Sequence, residues 1–292
     1  MVPLVSVYIP TYNRAAMVRR ALTSVTAQTW PALDVIVVDD GSSPAQRKRL
    51  DELSQAFPIR LLDNRFTKGA CGARNTAIEA AEGEFITGLD DDDEFLPEHI
   101  GAMMARFRAG DCSCVASSVQ VHTPTGTSIR DADSGLISLD SLLHYNKIGN
   151  QVLTRTEWLR AIGGFDESMP AFQDYDTWVR LVARFGPAAK LSSAGYVLHQ
   201  EHEGERISTS GDRRRRALAL FMEKHASLLT SSHKRSLQLL QLRCDNQGIG
   251  FRDLLRLCSR QNWKSACSLF MDTRYPRLAI TLRRLKSGFR GR

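Results

Sequence analysis

Apolar residues along this chain fall in short β-rich runs separated by stretches of helical period. Residues 5–9 form the first run, and a helical stretch follows from Arg14 to about Gln28. Residues 33–38 form the second, bounded by Pro31 and by Asp39-Asp40-Gly41-Ser42. The pattern then predicts a helix over 44–56, a strand over 59–62, a helix with a glycine-rich start over 69–81 and a strand over 84–89. Strands separated by helices of this length imply right-handed crossovers, hence an α/β fold with a mostly parallel, Rossmann-like sheet flanked by helices. Ligands of such sheets sit beyond the carboxyl ends of the strands. The polar clusters fall at those ends, with 10–14, 39–43, 64–68 and 90–93 following strands one to four. Four polar clusters along one sheet edge read as a single binding cleft.

From about 110 to 210 the pattern is less regular. It holds short apolar runs at 114–121 and 151–154 and one clear helix near 174–185. Beyond Gly211 the chain turns helical and rich in leucine and arginine. The expected organisation is a main domain over 1–210 and a helical C-terminal extension over 211–292. No internal repeat or low-complexity linker interrupts it.

Composition changes this picture little, with 42% apolar and 24% charged residues, both ordinary for a globular protein. Six cysteines (Cys71, Cys112, Cys114, Cys244, Cys258, Cys267) show no C-x-x-C spacing. The expectation is reduced, buried thiols in a cytoplasmic protein rather than a zinc site. Met1 runs directly into a strand, so no stretch has the order of a signal peptide. No apolar run approaches the ~18 residues that span a bilayer. The expected protein is soluble or peripheral on a membrane, not integral.

Charge changes the picture more. Residues 274–292 hold seven of the 39 basic residues and no acid, so the remainder, 32 basic against 32 acidic, is formally neutral. A neutral main domain without an aromatic-interleaved basic surface argues against nucleic acid as a partner. In the tail, Leu278, Leu282, Leu285 and Phe289 recur at helical spacing among arginines and a lysine. Such a helix can lie on an anionic membrane surface, each nearby cation adding about 1 kcal/mol. The plainer alternative is a helix packed on the domain, or a disordered tail, with its charges solvated. A second basic cluster at 213–216 could reinforce the same face.

Candidate chemistry concentrates at three strand ends. Residues 90–93 are four consecutive aspartates, which repel one another unless a cation is shared among them. They are either a solvated acidic loop or an oxygen site for a hard divalent ion, Mg²⁺ or Mn²⁺, with positions left open for substrate phosphates. Val-Val-Asp-Asp-Gly-Ser at 37–42 puts two carboxylates at a strand end, where they suit ribose hydroxyls or a base but also ordinary turn capping. Gly69-Ala70-Cys71-Gly72-Ala73-Arg74-Asn75 opens a helix whose free amides favour an anion, and a phosphate neighbour would offset Arg74 in its first turns. No GxGxxG or GxxxxGK[ST] motif is present.

Taken in order, these segments resemble the family 2 glycosyltransferases. The matching elements are Val-Ser-Val-Tyr-Ile-Pro-Thr-Tyr-Asn-Arg at 5–14, Ala-Gln-Thr-Trp at 27–30, Val-Val-Asp-Asp-Gly-Ser at 37–42 and Gly-Ala-Arg-Asn at 72–75. Leu-Asp-Asp-Asp-Asp-Glu-Phe-Leu-Pro at 89–97, Gly-Gly-Phe-Asp-Glu at 163–167 and Gln-Asp-Tyr-Asp-Thr-Trp-Val-Arg-Leu at 173–181 complete the set. The resemblance covers roughly 4–210 and implies a GT-A-type fold that binds a nucleotide-sugar.

It further implies that Pro10, Thr11, Tyr12 and Arg14 line the nucleotide pocket, that Asp40 or its neighbour Asp39 holds the base, and that Arg74 lies beside base or pyrophosphate. The family's D-x-D maps onto Asp90, facing the ribose side, and Asp92, binding a Mn²⁺ or Mg²⁺ that bridges the diphosphate. Asp91 takes the variable middle position, and Asp93 reads as a supporting residue or helix cap. Asp174 matches the catalytic base of the family's Glu-Asp motif, although Gln173 stands where the family has glutamate. His202 is a further candidate for the metal or diphosphate, with His199 as a rival. Trp178 and Leu181 share a helical face and read as core.

The implied activity is a metal-dependent, inverting transfer of a sugar, with UDP the commonest carrier in the family. The implied acceptor is a glycan or lipid-linked saccharide of bacterial surface polysaccharide or lipopolysaccharide synthesis. That setting is the cytoplasm, at the inner face of the cytoplasmic membrane. The alternative from another class is a nucleotide-sugar-binding or membrane-peripheral protein without turnover, which Gln173 alone supports.

Overall fold

The computed structural model describes residues 1–124, 126–130, 134–200 and 211–278. They form two compact units. The first gathers the described residues of Met1–Leu142, Asn146–Ser168 and Gln173–Gly204, and the second those of Leu143–Tyr145, Met169–Phe172 and Glu205–Arg292.

The first unit opens with the alternation expected from the sequence. β1 (Val5–Thr11), α1 (Ala15–Thr26), β2 (Leu33–Asp39), α2 (Pro44–Ala56), β3 (Arg60–Asp63), α3 (Ala70–Ala80) and β4 (Phe85–Gly88) follow in order. Each lies within two residues of its predicted span. β1 buries successive residues on both faces, Val5 to Ile9, as a strand covered on both sides must. In α1, Val18, Ala21, Leu22 and Val25 are fully buried, the spacing that turns one stripe of a helix onto a sheet.

The chain continues through β5 (Glu94–Phe95), α4 (His99–Phe107), β6 (Cys114–Thr123), β7 (Gly126–Arg130), β8 (Gly135–Ile137) and α5 (Leu139–His144). Then come β9 (Leu153–Arg155), α6 (Thr156–Ala161), α7 (Gln173–Phe185) and β10 (Ala188–His199). The strand order is β3-β2-β1-β4-β9-β6-β10-β5, with β7 paired to β6 and β8 to β10. β1 to β4 pair in parallel, as do β6 and β10. β9 runs antiparallel to both β4 and β6 and joins the two parallel parts. The fold is therefore the expected α/β type, with a mixed sheet in place of a mostly parallel one. Trp178 and Leu181 are fully buried, as core.

The second unit holds α8 (Gly211–Lys224), α9 (Ser231–Cys244), α10 (Phe251–Leu257) and α11 (Trp263–Arg274). Its core joins Leu239, Ile249, Leu257, Ala266 and Leu269. Thr230 caps α9 in a capping box with His233, satisfying two otherwise orphaned amides. No helix of the described residues is long and apolar enough to cross a membrane. The cysteines are unpaired, and four are buried as expected, but Cys258 is half-buried and Cys267 exposed. Of the tail pattern, Leu282, Leu285 and Phe289 lie outside the described residues.

Candidate active site

Beyond β4 the chain makes a tight turn in which the Asp93 amide donates to the Asp90 carbonyl at 3.1 Å. The turn splays the four aspartates in alternation. The side chains of Asp90 and Asp92 keep 27% and 31% of their surface exposed. Asp91 and Asp93 are buried.

Each buried carboxylate is held by named donors. Thr11 Oγ1 donates to Asp91 Oδ2 at 2.8 Å, and Arg14 Nη1 reaches Asp91 Oδ1 at 3.2 Å. Tyr196 OH donates to Asp93 Oδ2 at 2.8 Å and the His199 amide to Asp93 Oδ1 at 3.0 Å. Burial pushes the Asp91 carboxyl up to about 6 against the pull of Thr11 and Arg14. Burial, reinforced by the charges of Asp90 and Asp92, pushes Asp93 up further, to about 8. Both shifts are what desolvation does to a carboxylate, with like charges nearby adding to it.

The two exposed members face cations. Arg14 Nη1 lies 3.2 Å from Asp92 Oδ2, and Arg20 donates to the Asp92 carbonyl. Arg74 Nη2 donates to Asp90 Oδ1 at 2.9 Å. Gln151 Nε2 donates to the same oxygen at 3.1 Å, and Asn150 Nδ2 approaches Asp90 Oδ2 at 3.4 Å. Tyr8 OH donates to Gln151 Oε1 at 2.8 Å, which fixes the orientation of that amide. A Cβ on Gly88 would collide with both Gln151 Oε1 and the Tyr8 ring, so only glycine lets β4 pass this chain of hydrogen bonds.

The ends of β1 and β2 are tied together by Asn13, which holds a left-handed φ of 58°. Its amide donates to Ser42 Oγ and its Oδ1 accepts from the Ser43 amide, both at 2.8 Å. The Asp40 amide donates to the Thr11 carbonyl at 2.9 Å. Asp40 Oδ1 accepts from Asn64 Nδ2 at 2.6 Å and from the Gly69 amide at 3.0 Å. Asp39 accepts from the Ser42 amide at 3.0 Å and pairs with Arg47 at 3.4 Å. Both aspartates thus brace loops with their carboxylates. Pro10 is partly exposed, and Tyr12 stands out in solvent with Lys68 Nζ 4.5 Å from its ring centre.

At the start of α3 the leading amide, that of Gly69, donates to Asp40, and Arg74 has Asp90 as its protein partner. Phe165 lies beneath Arg74, whose Cζ is 5.1 Å from the ring centre. Asn75 clamps that segment: its Oδ1 accepts from the Phe165 amide, and its Nδ2 donates to the Phe165 carbonyl and to Glu167 Oε1.

Asp174 is the second residue of α7, partly exposed as a residue but with its carboxyl group enclosed by protein. Asn146 Nδ2 donates to Asp174 Oδ2 at 2.9 Å. Burial raises the carboxyl to about 6; its own helix amides and Arg74 draw it down, and Asp90 pushes it up. Arg74 and Asp90 therefore act on Asp174 and on each other within one charge centre. The rival histidine, His199, lies at 2.6 Å from Glu94 Oε1 through Nε2. His202 lies outside the described residues.

The structure thus gathers Thr11, Arg14, Arg74, Asp90, Asp91, Asp92 and Asp174 around one sheet edge. Sequence reasoning missed Tyr8, Asn146, Asn150, Gln151 and Tyr196 as members of this network. Residues 6–165 match the family described as Glycosyl transferase family 2. The chain belongs to that family. It is a glycosyltransferase with a GT-A fold. It is 32% identical over 272 residues to WcaA of Escherichia coli K12, named as a candidate glycosyl transferase of colanic acid biosynthesis, covering 90% of this chain and 95% of WcaA. In fold it is similar to Staphylococcus aureus TarS, residues 1–349 in complex with UDP-GlcNAc, with a TM-score of 0.67 at 19% identity over 92% of this chain and 81% of that one. It is similar also to the mannosyltransferase PcManGT from Pyrobaculum calidifontis in complex with GDP-Man and Mn²⁺, with a TM-score of 0.59 at 17% identity over 99% and 81%.

Proposed function

We propose that this glycosyltransferase is metal-dependent and inverting, and that it moves a sugar from a nucleoside diphosphate, with UDP the first candidate, to a glycan or lipid-linked saccharide of a bacterial surface polysaccharide. The observation that carries the reading is the alternation at 90–93. Asp90 and Asp92 are left open beside Arg14 and Arg74, while Asp174 shares their charge centre. WcaA, similar over almost its whole length, supports the polysaccharide setting.

The residues present fit a divalent ion. The partly exposed donors are hard carboxylate oxygens, and the carboxylates beside them are pushed up by burial, with the charge of Asp92 adding to it at both and that of Asp90 at Asp93; a cation would ease that repulsion. Asp92 would hold the ion and Asp90 would face the ribose; Mn²⁺ or Mg²⁺ bound there would supply positive charge to the diphosphate leaving group.

The remaining steps belong to the chain itself. Arg14 and Arg74, each already beside an aspartate, present cations to the diphosphate and favour its departure. Tyr12, exposed at the mouth of the β1–β2 loops, offers a flat ring to the base, and Asp39 and Asp40 hold those loops in place. Asp174 accepts the proton of the acceptor hydroxyl as its oxygen bonds to the anomeric carbon and the bond to the diphosphate oxygen breaks. One in-line displacement inverts the centre with no covalent enzyme intermediate. A carboxyl raised to about 6 is still ionised at pH 7 and is a stronger base than an ordinary aspartate. Among the described residues the basic stretch 274–278 is exposed, in keeping with peripheral contact at the inner face of the cytoplasmic membrane.

Thermal stabilisation across a panel of UDP-, GDP- and dTDP-sugars, with and without Mn²⁺, tests the reading. A donor that stabilises the protein only with the ion is the expected result. Donor-independent behaviour throughout would overturn it.

A further inference from the structure

Helices α10 and α11 of the second unit carry an apolar band on the side away from their own core. Leu257, Ala266 and Leu269 turn inward onto Leu239 and Ile249, with Leu254 packed against them. On the other side Phe251 and Leu255, one turn apart, are 62% and 67% exposed, and Trp263 is 51% exposed. The Phe251 ring lies 6.5 Å from Phe270, and Phe270 lies 6.3 Å from Tyr275. Phe270, half-buried and packed against the core, thus links exposed Phe251 on α10 to exposed Tyr275 at the end of α11. Five of the twelve exposed large apolar side chains among the described residues fall within 251–278, about a tenth of the chain. Clustering on this scale marks an interaction surface.

The rim is cationic. Arg252, Arg256, Arg260, Lys264, Arg274 and Arg277 are all exposed around the band, while the two acids of the segment, Asp253 and Asp272, are half-buried. Six basic against two acidic residues leaves an excess of four positive charges.

We propose that this α10–α11 face docks on an anionic lipid surface. Rings and aliphatic groups would enter the headgroup boundary while arginines and a lysine meet the lipid phosphates. Tryptophan with flanking cations is the composition such an interface favours. A second copy is the poorer occupant, because a two-fold contact through this face would bring six cations against the same six. The inference rests on the described helices rather than on the tail beyond residue 278, and on no step of sugar transfer.

Flotation of the full chain with vesicles tests it, using phosphatidylcholine alone and phosphatidylcholine mixed with phosphatidylglycerol. Binding to the anionic vesicles only is expected. The triple variant Phe251→Ser, Leu255→Ser, Trp263→Ser should bind them at least tenfold more weakly. The double variant Arg252→Gln, Arg256→Gln, which leaves the apolar band intact, should lose about fivefold per cation removed. Both variants should keep the wild-type rate on soluble donor and acceptor. Equal binding to neutral and anionic vesicles would overturn the proposal, as would binding unchanged in both variants. So would a wild-type dimer, dissociated by the triple variant, that ignores vesicles.

Discussion

The titration of Asp174 is the most exposed consequence of the mechanism. Its carboxyl is raised to about 6 by burial, and the base is active only when ionised. At pH 7 roughly nine-tenths of the molecules carry the ionised form, at pH 6 about half and at pH 5 about a tenth. kcat at saturating donor and acceptor should therefore fall through an acid limb centred near pH 6, approaching tenfold per unit below it. The sign follows from the direction of the shift, since the raised carboxyl takes up its proton, and the base is lost, as pH falls. Asp91 also lies near 6, but it braces Thr11 and Arg14, so its protonation should appear in the donor KM rather than in kcat. Asp174→Asn should lower kcat by about 10²- to 10⁴-fold, the usual contribution of a positioned base, and abolish the limb in what remains. Asn146→Ala, removing the donor to the ionised carboxylate, should move the limb upward in pH. Initial rates of nucleoside diphosphate release from pH 4.5 to 8.5 measure all of this. A limb near pH 4, or an Asp174→Asn enzyme within tenfold of wild type, would refute the assignment.

Three further outcomes follow from contacts around the site and sheet. Gly88→Ala should lower stability by about 1–3 kcal/mol in thermal or urea unfolding, because its Cβ meets Gln151 and Tyr8; an unchanged midpoint would show that the chain gives way freely. Gln151→Leu removes the bridge from Tyr8 to Asp90 and should raise donor KM about tenfold, the worth of one buried hydrogen bond to a charge; loss confined to kcat would contradict this. His99 is buried with neither ring nitrogen partnered among the described residues, and burial holds it down to about 3. It is neutral at all working pH values, and His99→Leu should stabilise by about 1 kcal/mol in urea unfolding; a loss of stability would contradict this.

Strands β1 to β4 and the helices between them were readable because each buries a continuous or periodic apolar set in local sequence. β10 was not. Lys190, Ser192 and Ser193 break its pattern, and it is held by pairing with β6 across more than seventy residues. Asp90, Asp92 and Asp174 could be picked out as candidates because a run of carboxylates and a family motif mark them. The amides that position them could not. Gln151 reaches Tyr8 across 143 positions and Asn146 reaches Asp174 across 28, and neither separation leaves a local trace. The protein partner of Arg74 was not legible either, because helix-dipole reasoning sees one helix, whereas Asp90 comes from the next strand end.

Donor binding by calorimetry, with Mn²⁺ and after chelation, in wild type and in Asp92→Ala, tests the account most directly. Asp92 is the partly exposed carboxylate beside Arg14, so its loss should not unfold the chain. The account predicts tight donor binding that requires the ion in wild type and is lost in the variant. Ion-independent donor binding, equal in both proteins, would contradict it.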